Sequence, residues 1–423
     1  MMVSSLYRRL LLSLCIAGLH YALSIRETAC SLQTCSACGI EDNQSRIAIG
    51  TRSDGIGALT LHIIGGLAYA YHIGVGFGGA IDTRSDFFTR ASPHGVDRTR
   101  MLDFVFGDSR QVVGSTSSTD PQLRLLNLRD YPALVAKALT RNSRRDISLM
   151  HSSLEKLRSD VSKAKALYFL PCDSVEPPPP LYHVFMSEAF LRMLRQGSLC
   201  GVSAIFSEHS SYFPHEDADT RRVLTVALHI RRGDIESDEK LIKTRFVEDS
   251  RYFDVVEAIR RVVPSDVNLA VHGWMSCLSP MQCQHANETS AEYRERGITL
   301  HLDNEQHANA TTQTLVAWSH FIEADIFVMS PSSFSQVPAL LNRHCVIFTP
   351  RWRSRHKHVE QRYEALPNWI NIGNEQQTGM QRKRKQSPGT NLEATIKAGL
   401  PRCLDTEFTF ARSEPELEAQ KPP

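Results

Sequence analysis

The sequence predicts an α/β protein with a doubly wound parallel sheet in its second half. Short, almost wholly apolar runs alternate with helical patterns between Val223 and Phe348. A run such as Val223–Ile230 is typical of a strand covered on both faces, as in parallel sheets. Because parallel strands need a crossover between them, the alternation predicts right-handed β-α-β units. At 423 residues the chain is long enough for two domains.

The elements of the second half follow from hydrophobic periodicity. Leu315, Trp318 and Ile322 share one stripe of a predicted helix, and Val255 and Ile259 share one stripe of another. In chain order we predict strands at 223–230, 267–272, 298–302, 326–329 and 345–348, and helices at 252–263, 290–296, 311–324 and 333–341.

The first half has weaker patterns. Ser45–Thr51 is predicted as a strand, Gly55–Gly57 as a tight turn and Leu59–Ile73 as an apolar helix. Further helices are predicted at 147–166 and 182–195, around the four prolines of Pro177–Pro180, which cannot be helical. Residues 82–145 show no clear pattern.

The N-terminus has the layout of a secretory signal. Arg8 and Arg9 precede an apolar run, Leu10–Ile25, of 16 residues. This is slightly short for a membrane span, so a signal anchor and a cleaved signal peptide both stay open, although no clear cleavage site precedes Ala29. We expect a cytoplasmic tail at 1–9, the anchor or signal peptide at 10–25 and a stem at 26–44. We therefore expect a Golgi or ER membrane protein whose main part lies in the lumen, or a secreted protein if the segment is cleaved.

Glycosylation acceptors and cysteines agree with a secretory route. Asn43, Asn287 and Asn309 each begin an Asn-x-Ser/Thr pattern. Ten cysteines are present, of which Cys277 and Cys283 form a plausible local disulfide. The sequence therefore predicts a disulfide-bonded glycoprotein.

Composition argues against a nucleic-acid-binding protein, and cysteine spacing argues against a zinc protein. A formal net charge of +2 gives no overall attraction to nucleic acid, and the basic run Arg382–Lys385 is predicted to lie in a linker and mostly disordered tail, 374–423. Cys30, Cys35 and Cys38 lack a fourth ligand at matching spacing, so disulfides are favoured over zinc. No metal site is predicted.

Two adjacent arginines end the first strand of the second half. Arg231 and Arg232 follow Val223–Ile230, and Gly233 comes next. Ligands of open parallel sheets bind beyond the carboxyl ends of the strands. An arginine fork pairs two phosphate oxygens at once, so this segment could neutralise a diphosphate without a metal ion.

A second candidate anion element lies between a strand and a helix. Ser330–Ser335 follows the predicted strand 326–329 and opens the predicted helix 333–341. Serines there cap the helix, whose first N–H groups would face the same rim as Arg231. The alternative, that Ser332 or Ser333 only caps the helix, stays open.

These segments resemble the fucosyltransferase superfamily that includes α1,6-, α1,2- and protein O-fucosyltransferases and the rhizobial nodulation enzyme. Val226–Asp234, with its His-x-Arg-Arg-Gly-Asp run, is similar to the first shared motif, and Ala324–Ser335 to the third. Gly55-Ile56-Gly57 resembles the N-terminal phosphate-side loop. The resemblance implies a GT-B fold of two Rossmann-like domains facing across a cleft, here an acceptor domain at 45–215 and a GDP-sugar domain at 216–373.

The resemblance also implies an activity: inverting transfer of L-fucose from GDP-fucose to a glycan or glycoprotein hydroxyl, without a metal or other cofactor. Arg231 would take the β-phosphate and stabilise the departing GDP. Arg232 would either contact the donor or hold the loop through Asp234. His229 is expected to pack at the strand end more than to act as a base. The full set of candidate donor-binding residues is His229, Arg231, Arg232, Asp234, Gly55, Gly57, Asp303, Ser332, Ser333 and Phe334.

An inverting transferase needs a base near the acceptor hydroxyl. In the α1,6 enzymes that the chain resembles, a glutamate lies shortly beyond the arginine motif, and this chain has Glu236, Asp238 and Glu239 in that region. The resemblance implies that one of them is the base. Glu239 is our choice, with a plain solvent-exposed turn as the alternative. Asp303 is a rim carboxylate that could meet the guanine or ribose. In place of the Asn-Gln or His-Gln that several members carry after the glycine turn, this chain has Ala58 and Leu59. Two alternatives remain: a non-catalytic glycan-binding protein, or a transferase of another nucleotide sugar.

Overall fold

Two parallel β-sheets, one in each half of the chain, organise the computed structural model. It describes residues 45–51, 55–81, 95–109, 112–113, 123–125, 131, 143–163, 166–170, 186–208, 223–235, 239, 242, 245–265, 267–277, 280–304, 310–348, 366–372 and 389–413. The predicted tail, anchor and stem at 1–44, and the predicted domain boundary near residue 215, lie outside these residues.

The N-terminal half carries a four-stranded sheet in the order β2-β1-β4-β3, with every neighbouring pair parallel. Its elements are β1 (Arg46–Gly50), α1 (Ile56–Ile73), β2 (Gly76–Ile81), α2 (Arg98–Phe106), β3 (Leu123–Leu125), α3 (Ser143–Ser162), β4 (Leu167–Leu170) and α4 (Glu188–Glu208). Helix α1 begins earlier than predicted, because Gly55 is its N-cap residue and the glycine turn forms its first turn.

Strand β2 is an element that the sequence patterns did not predict. Its sequence, Gly-Phe-Gly-Gly-Ala-Ile, has the glycine content of a loop. The structure explains one of these glycines: a Cβ on Gly78 would lie 2.5 Å from Leu167 Cδ1 and 3.3 Å from the Cβ of Ala48. Close packing between strands therefore requires a residue whose intrinsic preference is against the strand.

The C-terminal half carries a six-stranded sheet in the order β10-β9-β8-β5-β6-β7, also parallel throughout. Its elements are β5 (Val223–Ile230), α5 (Asp249–Val262), β6 (Asn268–Cys277), α6 (Pro280–Glu295), β7 (Thr299–Asn304), α7 (Ala310–Glu323), β8 (Ile326–Met329), α8 (Ser333–Leu341), β9 (Cys345–Phe348), β10 (Trp369–Asn371) and α9 (Gly389–Ser413). The predicted α/β fold class, with strands and helices alternating in parallel sheets, is confirmed, and β5, β8, α8 and β9 have the predicted bounds.

The expectation of a mostly disordered tail is wrong for residues 389–413. Helix α9 places Leu392, Ile396, Leu400 and Cys403 on one buried stripe. The helix packs on α5 and β10, and Gly399 lies so close to Ile370 that a Cβ would be 2.8 Å from its side chain. The basic run before the helix obscured a periodicity of four that belongs to the core.

The two halves share one hydrophobic core. A single cluster contains Ile49 and Leu59 from the N-terminal half together with Trp318, Phe321 and Phe348 from the C-terminal half. Helix α8 packs against α1, and α7 packs against α4. A hydrogen bond from the backbone N–H of Asp97 to Thr311 Oγ1, 2.9 Å long, also joins the halves. The sheets therefore meet through packed helices.

Helix α1 is the one described helix that is long and apolar enough to cross a membrane. Since 78% of that stretch is buried within the protein, α1 is accounted for as a core helix.

Candidate functional site

The strand order of the C-terminal sheet places a crevice between β5 and β8. From β5 the chain moves outward to β6 and β7, and it then returns to the other side of β5 to build β8, β9 and β10. In open parallel sheets, ligands bind at this switch point, beyond the carboxyl ends of the two central strands. Arg231 follows β5, and Ser330 to Ser332 follow β8.

Arg231 and Ser332 meet in this crevice. The partly exposed guanidinium of Arg231 donates a hydrogen bond through Nη1 to Ser332 Oγ. Ser332 is the N-cap of α8, and its hydroxyl oxygen also accepts from the N–H of Phe334 at 3.1 Å. The capping role left open from the sequence is therefore present, and the cap is in contact with the arginine.

Gly57 brings the N-terminal half to the same place. A Cβ on Gly57 would lie 2.6 Å from both N and Cα of Phe334 and 2.7 Å from the carbonyl carbon of Ser333. The first turn of α1 thus rests on the first peptide of α8. Neither helix has an acidic residue in its first turn, so two positive helix N-termini meet beside Arg231.

Arg232 has a different environment from its neighbour. Its side chain is buried and forms an ion pair with Asp249, whose Oδ1 also accepts from the Tyr293 hydroxyl at 2.5 Å. The guanidinium lies 4.2 Å from the ring centre of Phe246. Arg232 thus holds the loop through Asp249, a partner that the sequence did not indicate. The predicted contact with Asp234 cannot be compared, because the side chain of Asp234 lies outside the described residues.

Side chains hold three alternate carbonyls of the arginine motif. Tyr252 donates its hydroxyl to the carbonyl of His229 at 3.0 Å. Arg232 Nη1 donates to the carbonyl of Arg231 at 2.8 Å, and Gln282 Nε2 donates to the carbonyl of Gly233 at 3.0 Å. Gly233 has a φ of 62°, in the left-handed region that favours glycine. The turn that presents Arg231 is therefore fixed at the backbone.

The side chains that hold the Arg231 turn and Arg232, which we call the support, include four that the sequence analysis missed: Asp249, Tyr252, Gln282 and Tyr293. Gln282 lies inside the loop closed by the Cys277–Cys283 disulfide, which confirms the predicted local pair. The only sequence signal for Gln282 was this cysteine spacing. A cavity beside this support is lined by Arg232, Asp249, Met275, Ser276, Gln282, Ala286 and Thr289. Arg232 lines this cavity and Arg231 is not among its lining residues.

His229 is a buried part of the strand end. Its Nδ1 is hydrogen-bonded to the hydroxyls of Ser335 and Ser330, the latter at 2.8 Å, and its ring centre lies 5.0 Å from that of Phe334. Burial, together with the charges of Arg231 and Arg232, lowers the pKa of His229 to about 3. The imidazole is therefore neutral at neutral pH and too weakly basic to be an efficient general base, which agrees with a packing role.

The remaining site residues occupy several positions. Glu239 is exposed beyond the Arg231 turn. Asp303 lies near the carboxyl end of the edge strand β7, paired in register with Ser276, and its side chain is outside the description. The ring of Phe334 packs 5.4 Å from that of Trp318. Asn287 is exposed on α6, whereas Asn43 and Asn309 lie outside the described residues.

Comparisons with known proteins give a remote likeness. No protein-family model matches the chain, and no curated protein matches it significantly. A variant of Arabidopsis thaliana FUT1 in complex with GDP is 12% identical with a TM-score of 0.38, over 77% of this chain and 76% of that one. POFUT1 in complex with GDP is 11% identical with a TM-score of 0.36, over 73% and 99%.

A third solved structure is an E. coli heptosyltransferase, WaaC, bound to an ADP-linked fluoro-heptose. It is 9% identical with a TM-score of 0.30, over 86% of this chain and 99% of that one. At these values the likeness assigns neither a family nor any residue role to this chain. The site is therefore argued from its own geometry.

Proposed function

We propose that this protein is a glycosyltransferase that binds the diphosphate of a nucleotide sugar at the β5–β8 crevice, with GDP-fucose as the donor. One observation carries the proposal. The Arg231 guanidinium, the Ser332 cap and the start of α8 meet the start of α1 at the switch point of a parallel sheet.

The charges at this crevice suit a diphosphate. The two helix N-termini each carry a positive partial charge of about half an elementary unit, and phosphate binds readily at such ends. Arg231 adds a full positive charge and a planar fork that can pair two oxygens. The hydroxyl of Ser332, now bonded to Arg231, can rotate toward a phosphate oxygen when the guanidinium shifts onto the donor.

The same charges would assist departure of the nucleotide. As the bond between the anomeric carbon and the β-phosphate oxygen breaks, negative charge grows on the departing diphosphate, and Arg231 is positioned to stabilise it. In the proposed inverting step, the acceptor hydroxyl attacks the opposite face of the sugar and gives its proton to a carboxylate. Glu239 is our candidate for that base, because its exposed position is open to an acceptor arriving from solvent.

Guanine, fucose and the secretory location rest on sequence features. The segment Val226–Asp234 and the segment Ala324–Ser335 resemble the fucosyltransferase motifs, and Leu10–Ile25 has the composition of a signal anchor. We propose a Golgi or ER membrane enzyme whose acceptor is a glycan or glycoprotein hydroxyl, acting without a metal.

Release of GDP tests the proposal without knowledge of the acceptor. Purified protein is incubated with GDP-fucose in EDTA, free GDP is measured, and UDP and CMP are tested as competitors. We expect slow GDP release that survives EDTA and is inhibited by neither UDP nor CMP. Competition by UDP or CMP would instead indicate another nucleotide sugar. Binding of glycans without any release of nucleotide would indicate the non-catalytic alternative, and a strict need for Mn²⁺ would contradict metal independence.

A further inference from the structure

Arg195 of the N-terminal half binds the far end of α8. Its Nε donates to the carbonyl of Leu340 at 3.1 Å, and its Nη2 donates to the carbonyl of Asn342 at 2.8 Å. Arg195 lies on α4, and both acceptors belong to the C-terminal turn of α8 and its cap. The helix that carries the Ser332 cap is therefore held at its other end by a guanidinium from the opposite half of the protein.

This contact satisfies an electrostatic need of α8. The last carbonyls of a helix have no partner within the helix and carry a negative partial charge, and α8 has no basic residue of its own in its last turn. Arg195 supplies the positive charge and two donors, and Asn368 Nδ2 also donates to the carbonyl of Asn342 at 3.3 Å. The buried Asn342 links this end to the end of α7, because it donates to the carbonyls of Phe321 and Ala324 at 2.8 and 3.0 Å.

The guanidinium occupies an otherwise unfavourable place. Burial lowers the pKa of Arg195 to about 10, the charge of Arg343 acts in the same direction, and the charge of Glu188 opposes them. Among the described residues no carboxylate forms an ion pair with Arg195. The carbonyls of Leu340 and Asn342 are therefore the groups that compensate its burial.

Helix α8 is short enough to transmit a shift from one end to the other. Its nine residues span about 13 Å, since an α-helix rises about 1.5 Å per residue. Its N-terminal peptide rests on Gly57 of α1, and its C-terminal end is bound by Arg195 of α4. Elements of the N-terminal half thus hold both ends of the helix that opens at the crevice.

We propose that Arg195 is a positioning residue for the donor site: by holding the C-terminal carbonyls of α8, it keeps the first turn of that helix seated against Gly57 and Arg231. The effect on donor binding rests on the proposed function, whereas the effect on the position of α8 does not.

Hydrogen exchange tests the positioning directly and needs no donor. The N–H groups of Phe334 and Gln336 bind Ser332 Oγ and the Ser332 carbonyl, each at 3.1 Å, and so report on the first turn. In Arg195→Met we expect exchange of these amides to rise about tenfold. Rises confined to residues 340–342 would overturn the proposal, because Arg195 would then cap only its own end of the helix.

A matched control exists at another helix end. Arg260 Nη2 donates to the carbonyls of Arg296 and Gly297 at 2.6 and 3.5 Å, just beyond α6, and Arg260 also pairs with Glu257. Arg260→Met removes the same kind of contact away from the crevice. It is expected to lower thermal stability while leaving exchange at Phe334 and Gln336 unchanged. An equal rise in both variants would mean general loosening and would contradict the proposal.

The affinity for GDP, measured on the same variants, is the second test of the proposal. Arg195→Met should weaken GDP binding about tenfold, Arg260→Met by less than about twofold, and Arg195→Lys should lie between wild type and Arg195→Met, since lysine keeps the charge but lacks the fork. If Arg195→Met does not fold, both measurements are made on Arg195→Lys. If the wild type does not bind GDP, the proposed function fails and the exchange result alone decides the role of Arg195.

Discussion

The two halves of the protein contribute to the crevice in different ways. The C-terminal half supplies a charged side chain, Arg231, and fixes its turn by binding the carbonyls of His229, Arg231 and Gly233. The N-terminal half supplies backbone: Gly55 caps α1 without a side chain, and Gly57 allows its first turn to touch α8. One side of the site thus depends on the presence of side chains and the other on their absence.

This contrast teaches that adjacent arginines can have separate tasks. Arg231 is partly exposed at the crevice, whereas Arg232 is buried, pairs with Asp249 and packs on the ring of Phe246. A guanidinium on a fixed turn needs little reorganisation when charge develops on a ligand. By holding the turn, the buried Arg232 therefore assists the exposed Arg231.

The largest expected effect is on turnover. We expect Arg231→Ala to reduce transfer by at least about a thousandfold, roughly 4 kcal/mol, because the developing charge loses its main partner. Release of GDP from GDP-fucose measures this. Arg261→Ala is the control, since Arg261 forms an exposed pair with Glu393 outside the crevice and its loss should leave turnover unchanged. A folded Arg231→Ala protein with near-normal turnover would contradict the assignment.

Loss of the ion pair behind the Arg231 turn should lower the stability of the protein. Asp249→Asn leaves the buried Arg232 without its carboxylate, and we expect a loss of about 3 kcal/mol in the free energy of unfolding, measured with urea. The double variant R232M/D249N should be less destabilised than Asp249→Asn alone, because the stranded charge is gone. Equal destabilisation in the two variants would show that Arg232 is not the group left unpaired.

The backbone side of the site is tested by a pair of glycines on one helix. Gly57→Ala should cost about 2 kcal/mol of stability by overpacking and also weaken GDP binding, because the new methyl group must displace the Phe334 backbone. Gly66→Ala is the control: its Cβ would lie 2.7 Å from Ile49 and 2.9 Å from Phe77, within the N-terminal sheet. We expect a similar stability loss there without a change in GDP affinity, measured by calorimetry.

The last prediction concerns the pH dependence of stability and a histidine pair in the C-terminal sheet. His272 Nδ1 lies 2.9 Å from His301 Nε2, and both rings pack against Trp274, with His320 close by on α7. Burial lowers the pKa of His272 to about 4. Burial, together with the nearby His272 and His320, lowers the pKa of His301 to about 4 as well.

The unfolded chain binds protons at these sites near pH 6.5, whereas the folded protein does not until about pH 4. Stability is therefore present above pH 6.5 and lost as the pH falls, by at most about 1.4 kcal/mol per pH unit for each histidine. Urea unfolding at pH 7.5 and 5.5 should show this loss, and the double variant H272N/H301N should show a smaller one. An unchanged pH dependence would contradict the role of this pair.

Much of the C-terminal half could be predicted because local patterns and tertiary packing agree there. Strands buried on both faces must be apolar, so their ends mark where the rim residues Arg231 and Ser332 lie. The glycines of β2 point locally to a loop, and only packing against Leu167 overrides this preference. The basic run hides the start of α9 from a local analysis, and the helix is evident only from its packing on Ile370.

What the sequence determined by itself is therefore the sheet, its rim and the residue types able to meet an anion, since hydrophobic periodicity and strand ends are local properties. Only the tertiary structure decided which arginine faces the crevice, that Gly57 touches the peptide of Ser333 and Phe334, and that Arg195 holds the far end of α8. Those relations join residues more than a hundred positions apart, and no local preference encodes them.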